Sequence, residues 1–242
     1  MAKSSGSVRQ QKKTEDPKAL KGIDPEAAAA LARGIPLSKI GYSENPDNVK
    51  FIQGNDADDA ILKTKEKFNP FIGDEYNKLS PQEMKAVRRY TDEEYFDMNN
   101  VLRQDALDVA DPKLKDRIQH LTDALNKASL PFPMKLQRGT DEHEVRGLSS
   151  QLGRVGLKAG DVVTFKAFVS AGAAEGSGFA DKPVQFNIAV PKGAKGLYVE
   201  HMTENPGENE VILQRGLRFK LYRIRESGDK QIYDWALYKE PK

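Results

Sequence analysis

Val184-Gln185-Phe186-Asn187-Ile188-Ala189-Val190 sets a large apolar side chain at every second position, with Gln, Asn or Ala between. A strand turns successive side chains to opposite faces, so this run reads as a sheet strand with one buried face. Working outward, further β-branched or aromatic runs occur at 162–168, 196–200, 210–213, 218–225 and 231–238, each bounded by Gly, Pro, Asn or Asp. Upstream the signals are helical. Ser80-Pro81-Gln82-Glu83 is a capping box with proline at the first helical position, predicting a helix from Pro81 to about Tyr90. Thr91-Asp92-Glu93-Glu94 repeats the signal and opens a second helix to about Arg103. A third starts at Asp111-Pro112, sets Leu114, Ile118, Leu121 and Leu125 on one face, and stops before Leu130-Pro131-Phe132-Pro133. Helices first and strands later predict an α+β domain.

Residues 1 to about 70 differ in kind, being rich in Ser, Lys, Gln, Asp and Gly. They offer too little apolar surface to offset the entropy of ordering them. The chain therefore divides into a flexible tail or delivery segment over 1–70 and a folded domain over 71–242, with order beginning near Phe68. The tail's one helical signal runs from Asp24-Pro25-Glu26 to Arg33. With 38% hydrophobic residues and a net charge of +2, the 242-residue chain lacks the basic excess of a nucleic-acid binder. It has no cysteine, which excludes disulfides, thiolate nucleophiles and cysteine-held zinc. The N-terminal MAKSSGSVRQQKK lacks the apolar stretch of a signal peptide, and no run reaches membrane-spanning length. His120, His143 and His201 lie far apart, so no metal is expected; Asp141-Glu142-His143-Glu144 reads as a charged loop. No glycine-rich loop joins a strand to a helix, which argues against Rossmann-type nucleotide binding.

Three stations in the strand-rich half could carry chemistry. They are Lys135-Leu136-Gln137-Arg138-Gly139, then Phe165-Lys166-Ala167-Phe168-Val169-Ser170 read as a strand ending in serine, then Pro206-Gly207-Glu208-Asn209-Glu210-Val211-Ile212-Leu213. Singly each is weak: an arginine before glycine is commonly a solvated strand end, a serine after a strand a turn residue, and E-x-E a solvated face.

In this order the stations resemble those of the ADP-ribosyltransferase exoenzyme family of bacterial toxins and phage proteins. The likeness extends to Leu79–Arg103 with its Tyr-Thr, later Tyr, Asn pair and Leu-Arg, to Gly160–Phe168, to Ile188-Ala189-Val190-Pro191-Lys192-Gly193, and to Glu210–Phe219. It covers about residues 73 to 226. Two positions depart from the family pattern. Gln137 stands where an aromatic residue is common, and Ser170-Ala171-Gly172 stands where Ser-Thr-Ser is usual. The expected consequence is weaker NAD affinity.

The resemblance implies N-terminal helices packed on a two-sheet, mostly antiparallel β core with a central NAD cleft, preceded by a disordered tail. It implies NAD as substrate and a protein of a target cell as acceptor. It assigns the catalytic carboxylate to Glu210, its orientation to Ser170, and binding of NAD to Arg138 and Gly139 with Ser170 and Glu210. Glu208, two before the catalytic glutamate, implies arginine as the acceptor. Tyr90 and Tyr95 are expected as walls of the cleft, and the loops near 172–178 and 203–207 as the acceptor surface. Delivery into a target-cell cytoplasm, by a secretion machine or a phage capsid docked through residues 1–70, fits the signal-less layout; no membrane partner is expected. Two alternatives stay open at this level: a non-enzymatic phage head protein with a degenerate copy of the fold, and a NAD glycohydrolase.

Overall fold

The computed structural model describes residues 25–35, 42–43, 45–203 and 205–240. The tail reading for residues 1–24, including Asp24 as a cap, lies outside the described residues. The elements run α1 (Pro25–Ala32), β1 (Tyr42–Ser43), α2 (Ala57–Tyr76), α3 (Pro81–Arg89), α4 (Tyr95–Arg103), α5 (Pro112–Lys127), β2 (Met134–Thr140), α6 (Glu142–Ser150), β3 (Val162–Phe165), β4 (Val169–Gly172), β5 (Val184–Val190), β6 (Gly196–Tyr198), β7 (Glu210–Leu213), β8 (Leu217–Ser227) and β9 (Lys230–Lys239).

Local signals set the helix ends. The Ser80 hydroxyl accepts from the Glu83 amide while the Glu83 carboxylate takes the Ser80 amide, the reciprocal capping box read from the sequence. Asp111 caps α5 through the amides of Lys113 and Leu114, with Pro112 at the first position. The Thr91 signal does not open a new helix. Residues Tyr90–Glu94 form a π-helical turn that joins α3 to α4 without a break. Thr91 lies inside that turn, and its hydroxyl donates backwards to the Arg88 carbonyl at 2.8 Å instead of capping a new helix. Asp141-Glu142-His143-Glu144, expected as a loop, opens α6, with Asp141 accepting from the amides of His143 and Glu144. The overlooked signal was an acidic cap three residues before a glutamate.

Eight strands pair in the order β3-β8-β9-β5-β2-β4-β7-β6, with β1 added on β9. Among the described residues these strands pair antiparallel except β5 with β9. The order is continuous, where two sheets were expected, yet the β2–β4 junction is a single pair, Gln137 with Gly172. Two blocks of strands thus part company at that point. Strand β5 is buried on both faces rather than one: Val184, Phe186, Ile188 and Val190 enter the main core, while Ala189 on the opposite face is covered with Val49, Ala236 and Tyr222. Its polar positions are satisfied inside: Asn187 donates to Asp234 at 2.9 Å, and Gln185 accepts from Gln137 at 3.0 Å. The serine strand also differs from expectation, breaking after Phe165 so that Ser170 lies within the separate strand β4.

Alternation along β7 feeds two cores. Val211 and Leu213 join Phe165, Phe186, Phe219 and Trp235 on one side. Ile212 joins Val87, Met98, Ile118, Leu121 and Leu125 of the helices on the other. Each fully buried leucine there contributes roughly 1.5–3 kcal/mol. Helix α2 straddles the boundary expected at residue 70 and buries Ala60, Thr64 and Phe68. Phe68 stacks on Tyr198 with ring centroids 4.0 Å apart. Further upstream, Ile52 bridges Ala174 and the Lys135 amide donates to the Lys50 carbonyl at 3.3 Å. The charged composition of residues 45–70 hides these apolar anchors because they are single residues rather than runs. No helix of the described residues is long and apolar enough to cross a membrane.

Candidate active site

The site forms where β2 and β4 part. Arg138, on β2, donates through Nη1 to the Ser170 carbonyl at 2.9 Å and through Nη2 to the Glu144 carboxylate at 3.0 Å. Glu144 also accepts from the Thr140 hydroxyl at 2.6 Å and lies 3.9 Å from Arg103 at the end of α4. Burial alone would raise the Glu144 carboxyl, but Arg138 and Arg103 hold it below the usual range. Burial works against the charge of Arg138, and the charge and hydrogen bond of Glu144, together with Tyr90 and Glu210, outweigh it. The Arg138 Nε is buried with no protein partner. A guanidinium so placed is fixed in direction while keeping N–H groups for a ligand.

Ser170 lies opposite Ile212 in the β4–β7 pairing, and its hydroxyl donates to the Glu210 carboxylate. Glu210 opens β7 opposite Gly172 and is only 6% exposed. Burial pushes its carboxyl up to about 7, the charge of Glu208 adding to the effect while the Ser170 hydrogen bond and Arg138 oppose it. Glu208 is exposed, and desolvation followed by the charge of Glu200 raises its carboxyl. The strand begins only at Glu210, so the two glutamates are not a strand pair at i and i+2. Asn209 between them adopts φ of 50°. Even so, both line one cavity of about 80 Å³ with Ser170, Ala171, Gly172, Gly178 and Phe179.

Loops close the cavity from two directions. On one side Glu200 accepts from the amides of Gly207 at 2.6 Å and Asn209 at 2.8 Å. The Tyr198 hydroxyl donates to the Asn209 side-chain oxygen at 2.7 Å. On the other side, Gln137 accepts from the Gly176 amide at 2.9 Å and donates to Gln185, which in turn donates to the carbonyls of Phe179 and Lys182. Phe179 has φ of 60° and is 61% exposed, an aromatic ring at the cavity wall. A Cβ added to Gly139 would collide with the Phe179 carbonyl, so glycine is required for that approach.

Of the residues singled out from the sequence, Arg138, Ser170 and Glu210 form one hydrogen-bonded series, and Glu208 shares their cavity. Gly139 supports the Phe179 loop rather than lining the cavity. Tyr90 is buried beneath, its hydroxyl bonded by Asn99 at 2.9 Å; Tyr95 is 51% exposed. Sequence reasoning missed Glu144, Glu200, Gln185 and Phe179: Gln185 and Phe179 meet β2 across about forty or more residues, while Glu144 and Glu200 act over four to nine residues through turns that no motif marks. The Gln137 departure has a local explanation, since its amide anchors the 173–183 loop.

A family model described as ADP-ribosyltransferase exoenzyme matches residues 66–234. A curated relative, the NAD(+)--arginine ADP-ribosyltransferase EFV of Enterococcus faecalis, is 26% identical over 152 residues, covering 58% of this chain and 28% of the relative. The chain thus spans little more than a quarter of that relative's length. Among solved structures, Plx2a, an ADP-ribosyltransferase toxin of Paenibacillus larvae, superimposes with a TM-score of 0.64 at 20% identity, covering 73% of this chain and 96% of the toxin. C3stau2 of S. aureus, solved with NAD, gives 0.64 at 18% identity over 74% and 96%. Both show the same fold.

Proposed function

The chain belongs to the ADP-ribosyltransferase exoenzyme family, and from that premise we propose that it transfers ADP-ribose from NAD to an arginine side chain of a target-cell protein, releasing nicotinamide. The observation that carries the reading is the continuous series from the Arg138 guanidinium through Ser170 to the Glu210 carboxylate, beside a cavity shared with Glu208. The Enterococcus relative named for arginine modification supports the choice of acceptor. Neither a virion protein nor a glycohydrolase draws support from the relatives.

The bond broken joins the nicotinamide nitrogen to the ribose, and its electron pair leaves with neutral nicotinamide. Positive charge develops on the ribose, as in glycoside cleavage. Glu210, ionised and largely screened from water, stabilises that charge through the ribose 2′-hydroxyl. Ser170 fixes the orientation of the Glu210 carboxylate. Arg138, with Gly139 holding the Phe179 loop in place, binds and directs NAD; its remaining N–H groups match a pyrophosphate. The acceptor guanidine nitrogen then bonds to the ribose carbon and gives up a proton. Glu208, whose carboxyl lies above the ordinary range, pairs with the guanidinium and takes that proton. We assign docking for delivery into the target cell to the segment preceding the packed core.

Labelled NAD incubated with the purified protein and a mixed lysate tests the reading. Label on protein is expected from the wild type and none from Glu210→Ala, with the fold retained by circular dichroism. Labelling that survives in Glu210→Ala refutes the assignment.

A further inference from the structure

Resting on the reading of Glu208 as the acceptor-facing carboxylate, we propose that Glu200 is a positioning residue that sets Glu208 for transfer, and that Lys65 on α2 holds Glu200 in place. The carboxylate of Glu200 is spread across the loop that carries Glu208. Oε1 takes the Gly207 amide at 2.6 Å and Lys65 at 2.9 Å; Oε2 takes the Asn209 amide at 2.8 Å. The two amides belong to the residues on either side of Glu208. Both of those residues have left-handed backbones, φ of 106° at Gly207 and 50° at Asn209. Asparagine adopts the left-handed region more readily than other non-glycine residues, and here the Glu200 and Tyr198 hydrogen bonds hold Asn209 in it.

Glu200 is 5% exposed, and a buried carboxylate is costly unless donors meet it. Among the described residues its donors belong either to the Glu208 loop or to Lys65, so a side chain placed at that cost serves to organise that loop. Glu210 has separate anchors. It is paired in β7 with Gly172, its carbonyl accepts from the Val199 amide at 2.9 Å, and its carboxylate is held by Ser170. Loss of Glu200 should therefore release Glu208 while leaving Glu210 in register. The chemical signature is a split between acceptors. Transfer to a guanidino group needs a placed Glu208, whereas hydrolysis of NAD, with water as acceptor, needs only Glu210 and the NAD-binding residues.

The experiment uses the full chain and compares wild type, Glu200→Gln, Lys65→Gln and Lys65→Arg. Agmatine, a free guanidino compound, is the acceptor; NAD hydrolysis without acceptor and thermal melting are measured in parallel. Glu200→Gln is expected to lower kcat/KM for agmatine by about 10-fold or more, while hydrolysis and KM for NAD stay within about 2-fold. Lys65→Gln should give the same split at about 3-fold, and Lys65→Arg should restore the wild-type ratio. If Glu200→Gln does not fold, the half-exposed Lys65 pair decides. An unchanged ratio of transfer to hydrolysis, or a parallel fall of both activities, overturns the proposal. A wild type that hydrolyses NAD yet modifies no guanidino acceptor removes the reading of arginine transfer and this proposal with it; an active wild type with an unmoved ratio removes this proposal alone.

Discussion

Glu210 is pulled in two directions. Burial and Glu208 favour its neutral form, while Ser170 and Arg138 favour the carboxylate, and the balance lies at about 7. Two outcomes follow. If the ionised form stabilises the ribose cation, NAD turnover should rise between pH 6 and pH 8 with a midpoint near 7, and Glu208→Gln, by removing a negative neighbour, should move that midpoint to lower pH. Pre-steady-state nicotinamide release across pH measures both; a flat profile over that window counts against Glu210. The stability sign is opposite. A carboxyl raised above its unfolded value favours the folded chain while protonated, and this contribution disappears as pH rises through about 7. Glu210→Gln should therefore melt higher than wild type at pH 8, by on the order of 2 kcal/mol, with a smaller difference at pH 5. For Arg138→Lys, the loss of a planar fork held by Ser170 and Glu144 should raise KM for NAD by about 10-fold or more.

At the level of elements, the 173–183 loop depends on β2. Gln137 fixes its start and, through Gln185, its end, and Gly139 gives room for the Phe179 carbonyl. Gly139→Ala should displace the loop, costing about 1–3 kcal/mol in a denaturant titration and weakening NAD binding in calorimetry. Normal affinity and stability in that variant would show that the loop can move aside freely. The same element explains a departure from the family pattern. An amide at Gln137 does locally, by hydrogen bonding, what no aromatic ring could do for the Gly176 amide. Helix signals were readable because caps and apolar spacing are local: Ser80, Glu83, Asp111 and the Ile118–Leu121–Leu125 face act within a few residues. The π turn at Tyr90–Glu94 was not, because its continuity comes from the burial of Tyr90 against Phe168 rather than from propensity.

Across the whole molecule, the packed unit starts upstream of residue 70. Phe68 is 2% exposed and sits between Tyr198 and Phe132. Phe68→Ala in the full chain should cost about 3–5 kcal/mol in thermal or denaturant unfolding, the loss of a core aromatic; a change within about 0.5 kcal/mol would mark the region as tail. By itself the sequence determined the class of elements, the family likeness and the order of Arg138, Ser170, Glu208 and Glu210, because periodicity, caps and motif order are written along the chain. Only the tertiary structure decided that β5 is buried on both faces, that the strands join through one pair beside the site, and that Glu144 and Glu200 hold Arg138 and the Glu208 loop. Those facts depend on which strands become neighbours and which charges lose water together. The strand neighbours follow from packing across distant segments, while Glu144 and Glu200 reach partners six to nine residues away through chain turns that neither periodicity nor caps specify.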